Sequence, residues 1–197
     1  MSSDIDADSL PFLEGALAGA AAWIVGFVLT ALVVLVRIDD SELGEISENV
    51  GDGGSAFEFV GWVFFNSHFV DTIVTADFLG FGGTRSVSFI GGDGFTPLLY
   101  LVPIALLVAA GLAVSRSQGV TGTTEGAVAG ALVAPAYLVL SAIGAVLFRV
   151  STEALGASFS GEPELLSAIV LAGIVIPAVF GALGGIVAAN TGPGTSA

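Results

Sequence analysis

The sequence predicts an all-α membrane protein with four transmembrane helices, arranged as a duplicated helix pair, and an interfacial amphipathic helix in the first long loop. Three observations predict it. Hydrophobic residues fill 54% of 197 positions and charged residues only 11%, against roughly 45–50% and about 25% in a soluble domain. The apolar residues lie in blocks free of Asp, Glu, Lys, Arg and His, at 15–36, 94–115 and 126–148, and no charged residue follows Glu164. Each block reaches the ~20 residues that cross roughly 30 Å of hydrocarbon. Third, Glu-Gly-Ala-Leu-Ala-Gly-Ala at 14–20 returns as Glu-Gly-Ala-Val-Ala-Gly-Ala at 125–131.

Residues 1–11 read as a polar tail, and 12–115 as the first helix pair. The first helix begins after Pro11, carries Glu14 at its positive dipole end and runs to about Val36. Gly15 and Gly19 form a Gly-x-x-x-Gly pair that lets helix backbones approach in lipid. Acids occupy its N-terminal flank where a signal peptide would carry Lys or Arg, so this helix is expected to remain as an anchor.

The excursion 37–93 opens acidic, and Gly51–Gly54 reads as a flexible break. The aromatic stretch from Phe57 to Asp71 has helical spacing and suits a helix lying at the bilayer surface. A fifth span over 59–76 is the rival, disfavoured because His68 and Asp71 would be placed in lipid. Gly80–Gly83 and Gly91–Gly94 read as loops, with a short strand over Val87, Phe89 and Ile90 between them.

Helix two is placed at 95–115, with a kink at Pro103. The second pair, 116–190, holds helix three at 124–148, with Thr124 as N-cap and glycines at 122, 126 and 130. A polar connection, 149–164, leads to helix four at 164–189, which contains Pro177, and 191–197 is a flexible tail.

The pairs align at two offsets. Glu14, Gly15 and Gly19 meet Glu125, Gly126 and Gly130 at 111, and Pro103 meets Pro177 at 74. Two spans per copy place both termini on one side, related by a pseudo-twofold axis along the membrane normal. Arg37, Arg85 and Arg149 lie opposite Arg116, so the positive-inside rule puts the termini outside.

The chain carries 18 Asp and Glu, four Arg, no Lys and no Cys. The balance argues against a nucleic-acid partner, and lack of cysteine excludes thiol catalysis and Cys-ligated metal. No catalytic or metal-binding set and no cofactor is expected. His68 and Asp71, one helical turn apart, read as an exposed or interfacial polar pair. Glu14, Glu125, Pro103, Pro177, Gly15, Gly19, Gly126 and Gly130 are the candidate pathway or packing residues. The acids would flank a pathway mouth or stabilise helix ends; the prolines would open carbonyls or kink helices.

The acidic lysine-free loops, the four spans and the Glu-Gly-Ala-x-Ala-Gly-Ala motif resemble small uncharacterised multi-pass membrane proteins of halophilic archaea. That resemblance implies no functional residues. The expected partners are the lipid bilayer and a second copy or another membrane protein. The expected role is non-enzymatic, a transporter-like or channel-like component. The alternative is a structural or assembly protein whose excursion 37–93 binds a partner.

Overall fold

The four apolar blocks form long helices in the computed structural model, which describes residues 12–38, 41, 43–46, 54–92, 94–154 and 156–191. Helices long and apolar enough to span a membrane cover Phe12–Arg37, Pro97–Ser117, Thr123–Leu147 and Leu165–Thr191. They are named the first to fourth spans. The polar tail at 1–11, most of the acidic stretch and the residues after Thr191 lie outside the described residues.

The first span is one helix, α1 (Phe12–Arg37). The second begins as a 3₁₀ turn, Pro97–Tyr100, capped by the Thr96 hydroxyl accepting from the Leu98 N–H, and continues as α3 (Leu101–Ser117). Pro103 therefore sits in the first turn of α3, beside the change of winding. The third span is broken into α4 (Thr123–Ala131) and α5 (Ala134–Leu147), because Pro135 withholds a backbone donor from the preceding turn. Its N-cap is Gly122, not Thr124. The fourth starts with a short α turn capped by the Glu164 carboxylate. It winds as a π-helix over Ala168–Val175 and ends as α6 (Ile176–Thr191). Pro177 lies in the turn that follows the π segment, one residue past Ile176; the wider winding accommodates a proline ring that would crowd an α turn.

The fourth span packs against the second and third, and the first packs against the second and third. Glycines bring these backbones together. A Cβ at Gly111 or Gly130 would overlap the carbonyl oxygen of Gly181, and one at Gly126 would crowd that of Gly185. On the other side Gly15 and Gly19 seat the first span on the carbonyls of Leu132 and Val133, at the break above Pro135. Ser115 donates to the Gly126 carbonyl at 3.0 Å.

The excursion departs from the expected all-α, interfacial form. Helix α2 (Ala56–Asn66) buries every residue from Phe59 to Asn66. It is neither a surface helix nor a fifth span, since its 11 residues fall well short of the ~20 a crossing needs. Its aromatics have core partners: Phe64 stacks edge-on to Trp23 and Phe27 of α1, and Phe65 lies against Phe148. Trp62 donates to the Phe148 carbonyl at 2.7 Å while His68 reaches Tyr137. Tyr137 precedes Phe148 by about 16 Å of α5. Thus α2 runs alongside α5, and the turn that ends it is buried in protein.

The chain then returns as strands. β1 (Thr72–Phe78) and β2 (Phe81–Val87) form a hairpin, and β3 (Val150–Ala154) and β4 (Ala157–Pro163) form a second where a polar connection is expected. All pairings are antiparallel, in the order β2-β1-β4-β3. The expected strand over Val87–Ile90 is displaced: β2 ends at Val87, and Ile90 makes only an isolated bridge to Phe95. Gly80 and Gly82–Gly83 belong to the first hairpin and do not form a separate loop.

Candidate functional site

The polar residues of the excursion divide between a buried network beneath the sheet and the sheet's outer surface. The network follows from the Asn66-Ser67-His68 trio that ends α2. Asn66 donates to the Val70 carbonyl at 2.8 Å and accepts from the Phe89 N–H at 2.9 Å, tying the turn to the strand after β2. The Ser67 hydroxyl donates to the Phe64 carbonyl at 2.6 Å.

His68 is fully buried, with Nδ1 2.8 Å from the Phe64 carbonyl and Nε2 2.6 Å from the Tyr137 hydroxyl. A carbonyl only accepts, so Nδ1 carries the proton and Tyr137 donates to Nε2. This fixes one neutral tautomer. It corrects the reading of His68 and Asp71 as a surface pair, because Asp71 instead accepts from Ser86 at 2.7 Å.

Burial pushes the His68 pKa down to about 4, partly opposed by the Phe64 carbonyl. An unfolded imidazole protonates near 6.5. Between those values the unfolded chain binds more protons, so stability is full above about pH 6.5 and falls as pH drops towards about 4. The expected loss is roughly 3 kcal/mol. His68→Gln, whose amide oxygen can still accept from Tyr137, should flatten the melting midpoint across this window. Equal pH slopes in the two proteins would show that His68 does not titrate with folding.

The sheet has two unlike faces. One carries Thr75 and Thr84, whose hydroxyls lie 2.9 Å apart, together with Asp77, Ser158, Ser160, Glu162, Ser151 and Glu153 by register. Arg149 pairs with Glu162 at 2.8 Å. A shallow groove of about 240 Å³ on this side is lined by Ser151, Thr152, Glu153, Ser158, Phe159 and Ser160. The other face packs on α2: Val74 and Val150 are buried, and Trp62 leaves no room for a Cβ at Gly161.

The register also fixes the direction of the backbone groups. Leu79 and Asp71 bond across to Gly156 and Glu164, so odd residues of β1 face β4 and even residues face β2. In turn Phe81, Gly83, Arg85 and Val87 bond to β1, and the N–H and C=O groups of Gly82, Thr84 and Ser86 point off the sheet. Every β2 side chain from Phe81 to Ser86 is exposed. Among the described residues no strand pairs with this edge, which has neither proline nor bulge.

A family of unknown function, DUF7978, matches residues 2–192. The chain belongs to this family. No curated protein and no solved structure matches it.

The residues singled out in the sequence do not converge on one site. Glu14 accepts from the Ser117 hydroxyl and the Gln118 amide, both at 2.6 Å, fastening the start of the first span to the 116–123 turn. The Glu125 carboxylate lies against Gly122. Gly15, Gly19, Gly126 and Gly130 are interhelical contacts, while Pro103 and Pro177 mark changes of winding. Among the described residues, no three His, Asp or Glu side chains gather as metal ligands. The open edge and the His68–Tyr137 bond were missed. The β-branched run Thr72–Thr75 and the polar trio after an aromatic run were the available signals.

Proposed function

We propose that this is a structural or assembly protein of the membrane, which uses the β2 edge to take up a strand from a partner protein. The observation that carries this is the outward row of Gly82, Thr84 and Ser86 on an unprotected strand. Main-chain pairing at such an edge is a general mode of peptide recognition. The bundle below supports it, since glycine contacts bring the second, third and fourth spans into backbone contact where a conduit would run. A photo-crosslinker at Thr84 should give one discrete adduct in native membranes, and the same group at Ser158 none. Equal labelling at both, or none at Thr84, would refute the reading. The adduct's mass tells a second copy from another membrane protein.

A transporter-like role has one observation in its favour. The π segment beside Pro177 is the place where the fourth span could change winding and open a path. Labelled substrate flux that survives locking the π segment to α5 would remove that support.

We also infer an ancestral duplication of the helix pairs from the matches at offsets 111 and 74. The neighbour pattern suits it, with first–second and third–fourth contacts as equivalents. The sheet does not follow it: a twofold relating the two hairpins would set like strands side by side at the centre, whereas β1 meets β4. Cysteines at Ser41 and Val120 should react from the cytoplasmic and outer sides respectively; the reverse would overturn the proposed orientation. The lysine-free charge of −14 points to a high-salt environment, since molar salt screens repulsion among clustered carboxylates. The unfolding midpoint should then climb with molar KCl, and a flat response would count against that source.

A further inference from the structure

The face of the sheet that packs on α2 is longer than the core that covers it. Along β1 its residues pass from buried Thr72 and Val74, the latter 4% exposed, to exposed Ala76 and then Phe78, 60% exposed. Beyond the turn Phe81 is 85% exposed. Leu79 sits between them with φ of 52°, in a left-handed conformation that is unusual for a large apolar residue. It is 66% exposed and leans towards Gly156 of the second hairpin turn. The tip thus presents Phe78 and Phe81 as exposed aromatics on this face, with exposed Leu79 in the turn between them.

Charge divides in the same sense. By register the strands' carboxylates, Asp77, Glu153 and Glu162, fall on the opposite face, and Arg85 falls on this one. At its root the apolar face is turned towards α2, which is itself seated in the end of the helix bundle. The overhang therefore continues the side of the sheet that looks at the bundle, and beyond the bundle on that side lies the bilayer.

We propose that Phe78 and Phe81, with the Leu79 turn between them, rest in the headgroup layer of the membrane that holds the four spans. The sheet is then an amphipathic layer whose acidic face meets water. Its apolar tip enters the interface to the ~5–10 Å typical of interfacial segments. The contact anchors the β2 edge beside the membrane surface. It rests on insertion of the four spans and is independent of what pairs with β2.

The chain has no cysteine, so Phe81→Cys gives a single site for an environment-sensitive nitrobenzoxadiazole probe. The labelled protein is placed at one copy per nanodisc, in a mixture of phosphatidylcholine and phosphatidylglycerol. Thr84→Cys, on the opposite face, serves as the control. The proposal expects blue-shifted emission at position 81 and roughly twofold stronger quenching by headgroup-nitroxide lipid than at 84. Water-like emission at both positions would overturn it. Blue-shifted emission without lipid quenching would also overturn it, because the patch would then be covered by protein.

Discussion

Gly181→Leu is expected to prevent the bundle from closing. The glycine lies where the second and third spans both meet the fourth, with its carbonyl against Gly111 and Gly130. A Cβ there would come 2.7 Å from a Val133 methyl and against the Gly130 carbonyl, so a helix must move. Overpacking of this kind typically costs about 1–3 kcal/mol, and more where the obstacle is backbone on a neighbouring helix. In lipid there is little hydrophobic force to recover the loss, because close packing itself drives helix association. The purified variant should be aggregated, or melt far below the parent. Gly83→Ala, with nothing within 4 Å of its added carbon, should leave the midpoint in place. If both variants melt like the parent, the backbone-to-backbone closure is wrong.

Trp62→Ala should detach the cap while leaving the spans formed. The indole is fully buried, packs on Phe59 and Phe89, fills the space against Gly161, and donates to the Phe148 carbonyl. Truncating a buried Trp costs about 3–5 kcal/mol, and here also strips the Phe148 carbonyl of that donor. Gly161 of the second hairpin sits directly on this indole, and Val150 lies against Gly54. Limited proteolysis should therefore cut between 54 and 96 in the variant and not in the parent, with helical content nearly unchanged. An unaltered cleavage pattern would mean that the sheet is held elsewhere.

These two effects mark the boundary between what local pattern encodes and what it does not. Span positions follow from uninterrupted apolar runs, and the structure reproduces all four within a few residues. The glycine stripe was legible as packing, though its partners were not. Gly126 and Gly130 face the fourth span, while Gly15 and Gly19 face the break before Pro135.

The excursion was misread for physical reasons. An aromatic helix with scattered polar residues suits a bilayer surface, yet here the aromatics find partners in α1 and α5 that lie far away in sequence. β1 pairs with β4, so half of its hydrogen bonding is supplied by a segment more than one span later. Nothing in Phe-Gly-Gly-Thr-Arg-Ser-Val announces β2, whose residues are neither alternating nor buried. His68 looked isolated because Tyr137, its partner, belongs to the third span.

A packed helix bundle holds the sheet, and the proposed role of its β2 edge is to pair with a partner strand. Amide hydrogen exchange tests it most directly. In the isolated protein, the amides of Gly82, Thr84 and Ser86 should exchange rapidly while those of Gly83, Arg85 and Val87 are protected. In native membranes the first three should become protected as well. Gly82, Thr84 and Ser86 that exchange as fast in native membranes as in isolation would contradict the claim.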